Sequence, residues 1–306
     1  MLRAEHQILH MGKALNAVGR GLRSAVVPRS ISYQLWRLAH RGREGRRFFF
    51  PTSVFGQQIT YGGVCGSSSD ALFLNLDEYE SDSVCVLRSL LREVSRPVIL
   101  DVGANNGAIL VILKALDQTA EVHCFEPFPD LIGFLEELVD RNKFDNVCIN
   151  ELLVGTESGT GSLYYTAGST GTASVVSDFQ PTYNRTLSTK QCSVDSYVEA
   201  NQIERLSLLK VDVEGGELEV LRGARQTLAK LHPDILLELL FTTTPAHLER
   251  QRETIEILRT LGYRFFQIQT AGQLELQWPV TPDRNYTFVN YLVTTKDLAD
   301  FRGDAN

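Results

Sequence analysis

Val98-Ile-Leu-Asp-Val-Gly-Ala-Asn-Asn-Gly107 decides the fold of this 306-residue chain. An apolar run ends in Asp101, a tight turn on Gly103 and Gly107 follows, and a helix-like segment, Ala108–Leu116, comes next. Strand, glycine turn and helix N-terminus in that order receive a nucleotide-like ligand at the carboxyl edge of a parallel sheet. The spacing departs from the dinucleotide fingerprint G-x-G-x-x-G, because Asn105 stands where its second glycine belongs and Ala108 closes the turn without another. A turn of the form D-x-G-x-x-x-G needs to approach only a small amino-acid moiety, with no pyrophosphate to admit. An ordinary βα turn in another α/β protein is the competing reading of this stretch taken alone.

From residue 97 the chain alternates strand and helix, the signature of a doubly wound parallel sheet. The expected strands are Val98–Val102, Glu121–Phe125, Val147–Leu152, Leu206–Asp212 and Asp234–Leu240, with helices over Pro129–Asn142 and from about Glu217 to Leu231. A helix at Ala246–Leu261 and two strands, Tyr263–Gln269 and Tyr286–Thr294, complete a seven-stranded sheet with an antiparallel C-terminal pair. The two last strands are joined by a polar connection containing Pro279 and Pro282. The glycine- and serine-rich stretch Gly155–Ser177 reads as a mobile loop near the site. Upstream, residues 51–96 read as lead-in strands plus an amphipathic helix, Ser83–Val94, covering the start of the sheet.

Charge divides the chain unevenly. Residues 1–50 hold ten Lys or Arg against Glu5 and Glu44, a balance of +8, while the rest carries 20 basic and 35 acidic groups, or −15. An acidic body repels the phosphate backbone, so nucleic acid is not the expected partner. The basic stretch lacks the compact apolar region of a secretory signal and reads as a partly helical extension. A membrane-surface or anionic-partner arm and an organelle transit peptide are the alternatives. No apolar run is long enough to span a bilayer.

Five cysteines, at 65, 85, 124, 148 and 192, form no C-x-x-C pair, which argues for a reducing, cytoplasmic setting. Cys124 and Cys148 lie in apolar strand-like runs, where a thiol acts as a small hydrophobe. Of the six histidines only His6 and His10, in the basic stretch, are spaced H-x-x-x-H, no H-E-x-x-H motif occurs, and no metal site is expected.

Two further acidic signals mark the site. Glu126, followed by Pro127, ends the second strand 25 positions after Asp101, the distance at which doubly wound folds place an acceptor for ribose hydroxyls. Lys210-Val-Asp-Val-Glu-Gly-Gly-Glu217 sets Asp212 and Glu214 two apart at a strand end, so both point to one face. Lys210 shares that face and competes for one of them, and capping the next helix is the plainer role for Glu217.

Three blocks together, Asp101-Val-Gly-Ala-Asn-Asn-Gly107, Phe125-Glu-Pro-Phe-Pro129 and Leu209–Ala224 followed by Pro233–Glu238, resemble the FkbM family of S-adenosylmethionine-dependent methyltransferases over roughly residues 79–294. Asn106 departs from the apolar residue usual in that family, and Gly216 from a small residue such as alanine. The resemblance implies a Rossmann-like class I methyltransferase fold over residues 97–306 and S-adenosyl-L-methionine as cofactor. It implies that Asp101 and the turn Gly103, Ala104, Asn105 and Gly107 hold the methionine part. Glu126 and Pro127 would meet the ribose, and the segment around Leu153 would border the adenine. Asp212 and Glu214 would lie near the transferring methyl, with Glu238 a third candidate base.

The expected reaction is O-methylation of a hydroxyl on a small molecule or glycan, the resemblance favouring oxygen over nitrogen. Acceptor contacts are expected from residues 155–190 and 241–250, and neither segment carries a readable code. A non-catalytic methyltransferase-fold scaffold is the alternative from another class, and the intact acids and glycines argue against it. A nicotinamide-dependent oxidoreductase is disfavoured by the missing fingerprint.

Overall fold

The computed structural model describes residues 46–64, 76–167, 169–240, 244–277 and 288–297. Most of the basic extension, Cys65 and the connection holding Pro279 and Pro282 lie outside them. The chain divides into two compact units at Tyr79 and Glu80. In the first, strands β1 (Arg47–Val54) and β2 (Gln57–Val64) form an antiparallel hairpin in register from Arg47 with Val64 to Val54 with Gln57.

The second unit is built on strands β3 (Val98–Val102), β4 (Glu121–Phe125), β5 (Val147–Asn150), β10 (Leu208–Val211), β11 (Asp234–Leu240), β12 (Arg264–Ile268), β13 (Leu274–Leu276) and β14 (Phe288–Thr294). Their order in one sheet is β13-β12-β14-β11-β10-β3-β4-β5. Five neighbours, from β11 through β10, β3 and β4 to β5, run parallel. β14 runs antiparallel to both β11 and β12. The alternating apolar strands of the sequence therefore become a doubly wound sheet with a reversed strand. The chain moves outward from β3 to β5 and returns to β10 on the other side of β3. That change of direction is the switch point, where ligands bind beyond the carboxyl ends of the strands. Asp101 lies one residue before the end of β3 and Asp212 directly follows β10, the two strands that flank it.

Burial explains why these segments are continuously apolar. Every residue of β3 and β10 is buried, as parallel strands covered on both faces must be. Helix α1 (Ser81–Arg92) buries a stripe through Val84, Val86, Leu87, Leu90 and Leu91, α2 (Ala108–Leu116) is buried nearly all round, and α3 (Pro129–Asn142) buries a stripe of Ile132, Phe134, Leu135 and Leu138. Helix α7 (Pro245–Thr260) starts on a Thr244 hydroxyl that caps the His247 amide.

Five sequence expectations need correction. The described sheet has eight strands rather than seven, because the short β13 pairs with β12 beyond the reversed strand. The third parallel strand ends at Asn150, and Leu153 lies instead in β6 (Leu153–Val154), part of another sheet. Gly155–Ser177 is not a loop. Its residues form β7 (Gly159–Thr166) and β8 (Ser169–Ser174), which join β6 and β9 (Arg185–Cys192) in a four-stranded sheet ordered β6-β9-β7-β8. Small residues alternate in both states, so composition alone could not separate them. The helix expected to run unbroken to Leu231 divides into α5 (Glu217–Arg222) and α6 (Arg225–Leu231). A Cβ on Gly223 would stand 2.1 Å from the Gly155 carbonyl oxygen, so the chain passes another backbone where the helix breaks. Cys148 is exposed, because β5 is the outermost strand. Among the described residues, no helix is long and apolar enough to cross a membrane.

Candidate active site

The glycine turn is fixed by the two strands that flank it. Gly103 adopts φ +86°, and a Cβ there would stand 2.0 Å from the Asp212 carbonyl oxygen, so only glycine lets the exits of β3 and β10 touch. The amides of Gly103 and Ala104 both donate to the Phe125 carbonyl, at 3.1 and 3.0 Å, which binds the turn to β4. Asn105 is left-handed at φ 48°. Gly107 caps α2 with φ +73°, and a Cβ there would press into Leu135 and Leu138 at 2.7 and 2.8 Å. Its glycine serves packing against α3.

Asp101 is fully buried, and neither of its carboxylate oxygens accepts a hydrogen bond among the described residues. Its charged neighbour is the Lys210 ammonium, 3.4 Å from Oδ1. Burial raises the Asp101 pKa, the Lys210 charge opposes that rise, and the Asp212 charge adds to it. A buried carboxylate with unfilled acceptor capacity is ready for a cationic or N–H-bearing group.

Glu126, 4% exposed, closes the other side of the turn. It accepts the Asn105 amide at 2.9 Å and the Phe128 amide at 3.0 Å. Burial pushes its pKa up to about 7 against the pull of those two N–H groups. Pro127 is half-buried at the exit of β4, and Leu153 packs with Phe128 and Leu163 in a small apolar cluster under the second sheet. Asp101, Gly103, Ala104, Asn105 and Glu126 are thus joined around one turn, and Phe128 and Leu153 connect it to the second sheet.

The acids at the ends of β10 and β11 differ in state. The Lys210 ammonium lies 3.2 Å from Asp212 Oδ2, slightly closer than to Asp101, and donates to the Gly103 carbonyl at 3.4 Å. Burial favours the neutral form of Asp212, but Lys210 and a hydrogen bond from Glu238 outweigh it and hold the carboxyl below its usual range. Glu238 is pushed up to about 10 by burial, then by the Asp212 charge and the hydrogen bond to it. The two therefore form a pair in which Glu238 keeps the proton and Asp212 the charge. Glu214 is raised to about 7 by burial and by the charges of Asp212 and Glu217. Its backbone is left-handed at φ 52°, a conformation costly for a non-glycine residue and common where a side chain is aimed at a site. Glu217 accepts the Gly215 amide at 2.9 Å and so braces this turn.

Four residues that no sequence pattern marked surround the same turn. The Phe179 ring lies against Gly215, where a Cβ would meet it at 2.7 Å. His247 stands 5.3 Å from that ring between centroids. Arg250 donates to the Gly215 carbonyl at 3.1 Å and pairs with Glu219. The Tyr183 hydroxyl donates to the Thr172 carbonyl at 2.6 Å, and burial together with the Glu214 charge pushes its pKa up to about 12. Phe179 and Tyr183 come from the β8–β9 connection and His247 and Arg250 from α7. These are the two segments expected to face an acceptor, although residues 241–243 lie outside the described residues. A lone aromatic in a polar connection gives no periodic signal.

Known proteins are similar to this chain over the region that holds these residues. The family model for the methyltransferase FkbM domain matches residues 101–265. A hexuronic acid methyltransferase of Haloferax volcanii is 32% identical over 151 residues, 48% of this chain and 58% of its own length. A 2-O-methyltransferase of Sinorhizobium fredii is 25% identical over 154 residues, 46% of this chain and 62% of its own. This chain thus spans about three-fifths of the length of these relatives. The crystal structure of methyltransferase FkbM from Methylobacillus flagellatus aligns with 74% of this chain and 54% of its own, at 18% identity and a TM-score of 0.41. Since the family model covers more than half of the sequence, beginning at the buried aspartate of the switch point and ending in β12, the chain belongs to the FkbM methyltransferase family.

Proposed function

We propose that this protein transfers a methyl group from S-adenosyl-L-methionine to a hydroxyl oxygen of a small-molecule or glycan acceptor. The observation that supports it most directly is Asp101, a buried carboxylate at the switch point that has, among the described residues, no donor nearer than the Lys210 ammonium at 3.4 Å. An amino-acid ammonium would supply the missing donors. The turn Gly103–Gly107 would seat the rest of the methionine part, Glu126 would accept the ribose hydroxyls, and Leu153 would border the adenine. When bound, the cofactor offers an electrophilic methyl on a sulfonium. The neighbouring acids orient the acceptor and handle its proton.

Glu214 is the base of this reading. With a pKa of about 7 it is available both to accept and to release a proton near neutrality. With the cofactor supplying the methyl group and keeping the sulfur as its leaving group, the Glu214 carboxylate would take the proton that the acceptor hydroxyl gives up. Asp212 is a weaker base because Lys210 stabilises its charge, and Glu238 already holds a proton. Those two instead position the hydroxyl and keep the negative charge fixed beside it. Phe179, Tyr183 and His247 form the acceptor side. The two relatives named as a hexuronic acid methyltransferase and a 2-O-methyltransferase favour an oxygen on a carbohydrate.

Calorimetric titration with S-adenosylmethionine, S-adenosylhomocysteine and NAD tests the reading. Binding of both sulfur ligands without NAD is the expected result. A folded sample that binds neither overturns it in favour of a scaffold role.

A further inference from the structure

Glu214 stands on a turn that its side chain does not favour. Glu214 and Gly215 take φ 52° and +92°, and the Gly216 amide donates back to the Val213 carbonyl at 3.3 Å. Two successive left-handed residues inside such a bond match a type I′ turn, whose first central residue is usually asparagine, aspartate or glycine. A glutamate there is strained, and strain of that kind persists only where the surroundings over-determine the backbone.

Here the surroundings clamp both peptide groups of Gly215. Its amide donates to Glu217 Oε1 at 2.9 Å, and its carbonyl accepts from Arg250 Nη2 at 3.1 Å. The Phe179 ring lies against the Cα between them. Arg250 is braced in turn by Glu219, which accepts from the same Nη2. One planar guanidinium thus serves a carbonyl and a carboxylate together, a task suited to arginine. The pair is only 26% and 23% exposed. A second pair, Arg222 with Glu253, joins the same helices α5 and α7 with the donor on the other helix. It is 38% and 41% exposed and, among the described residues, bonds to no part of the turn. Packing of α5 on α7 therefore has its own ion pair, and the inner one reaches the backbone beside Glu214.

We propose that Arg250 is a positioning residue for Glu214: braced by Glu219, it holds the Gly215 carbonyl and so keeps the Glu214 carboxyl turned into the acid-lined end of the sheet. The inference rests on the reading of Glu214 as the base. The groups that face this carboxyl are Asp212 from the exit of β10, Glu217 from α5, Glu238 from β11 and Tyr183 from the β8–β9 connection. Released from the clamp, Glu214 relaxes toward an ordinary φ and its carboxyl leaves those neighbours for solvent.

The test is carboxyl-carbon NMR of the full chain with isotope-labelled glutamate, the Glu214 signal being assigned by its loss in Glu214→Gln. In the wild type it titrates at about 7. In Arg250→Met the midpoint should fall by about one pH unit or more, toward the 4.5 of a carboxyl free of burial and of acidic neighbours. Loss of a cation alone would move it upward instead. Glu219→Ala, which removes the brace and leaves the arginine, should lower it too and guards against a folding defect in the first variant. Arg250→Lys still reaches the carbonyl and should keep the raised midpoint, as should Glu253→Gln, which breaks only the outer pair. An unchanged or higher midpoint in either of the first two variants, when folded, or an equal fall in Glu253→Gln, overturns the assignment. Calorimetry on the same samples separates this from the methyltransferase reading. Arg250→Met should bind S-adenosylhomocysteine as the wild type does. A folded wild type that does not bind it overturns that reading, while the titration still decides the role of Arg250.

Discussion

Replacing Glu126 with glutamine should change sign in its effect on stability between mild acid and mild alkali. In the folded protein this carboxyl titrates at about 7, against 4.5 in a free chain. The folded state therefore keeps a proton over a range where the unfolded chain has lost it. Stability tied to that proton is fully present below pH ~4.5 and is lost as the pH rises through about 7. Each unit is worth about 1.4 kcal/mol, so the wild type loses about 3 kcal/mol in all, some 2–3 of it between pH 5 and pH 8. Glutamine has no such loss. Its single carbonyl can accept only one of the Asn105 and Phe128 amides, which costs about 2 kcal/mol at every pH. The variant should then be less stable by about 1 kcal/mol at pH 5 and more stable by about 1 kcal/mol at pH 8. Glu214 and Glu217, also raised to about 7, are common to both proteins and cancel in the difference. Urea unfolding followed by circular dichroism at pH 5, 6, 7 and 8 measures it. A difference constant across that range would mean that Glu126 is ionised throughout in the folded state, and the reasoning from its burial would fail.

Two other substitutions follow from named contacts. Glu214→Gln should lower kcat by about 10²–10⁴ while leaving the affinity for S-adenosylhomocysteine unchanged, and Glu238→Gln, which still donates to Asp212, should cost much less; equal losses in steady-state assays would remove Glu214 as the base. Lys114, 1% exposed, donates to the carbonyls of Gln118, Ala120 and Asp145 at 2.7, 2.9 and 2.8 Å, so Lys114→Met should destabilise the protein by about 3 kcal/mol in urea. A loss below about 1 kcal/mol would mean that those carbonyls find other partners.

Much of this was readable from the sequence because the parallel core uses local, repetitive rules. The apolar runs ending in Asp101, Glu126 and Asp212 announced both the strands and the end at which a ligand sits. Their chemistry was legible less completely. Asp212 and Glu214 look alike in sequence, yet Lys210 holds one ionised while burial brings the other near neutrality, a difference that depends on atoms from β3, β10 and β11 together. Glu238 gave no hint that it would carry the shared proton. The second sheet was missed because Gly-Ser-Thr runs satisfy a loop and a thin, half-exposed strand equally well. Phe179 and Tyr183 were invisible for a related reason. Their position on the Gly215 turn is set by pairing between strands far apart in the chain.

The place of β14 inside the large sheet has a consequence for synthesis. β11 pairs with β10 on one side, and its other side, from Ile235 to Leu240, is filled among the described residues by 288–293. β12 emerges earlier than β14 but reaches the sheet only through it. On the ribosome, the apolar edge Asp234-Ile-Leu-Leu-Glu-Leu-Leu240 must wait for 54 further residues, roughly 3–11 s at ordinary elongation rates. During that interval it is an open strand edge of the kind that recruits other chains. Assembly of the sheet thus ends with a late insertion rather than proceeding in step with translation, and chaperone dependence of the nascent protein should be concentrated in that window.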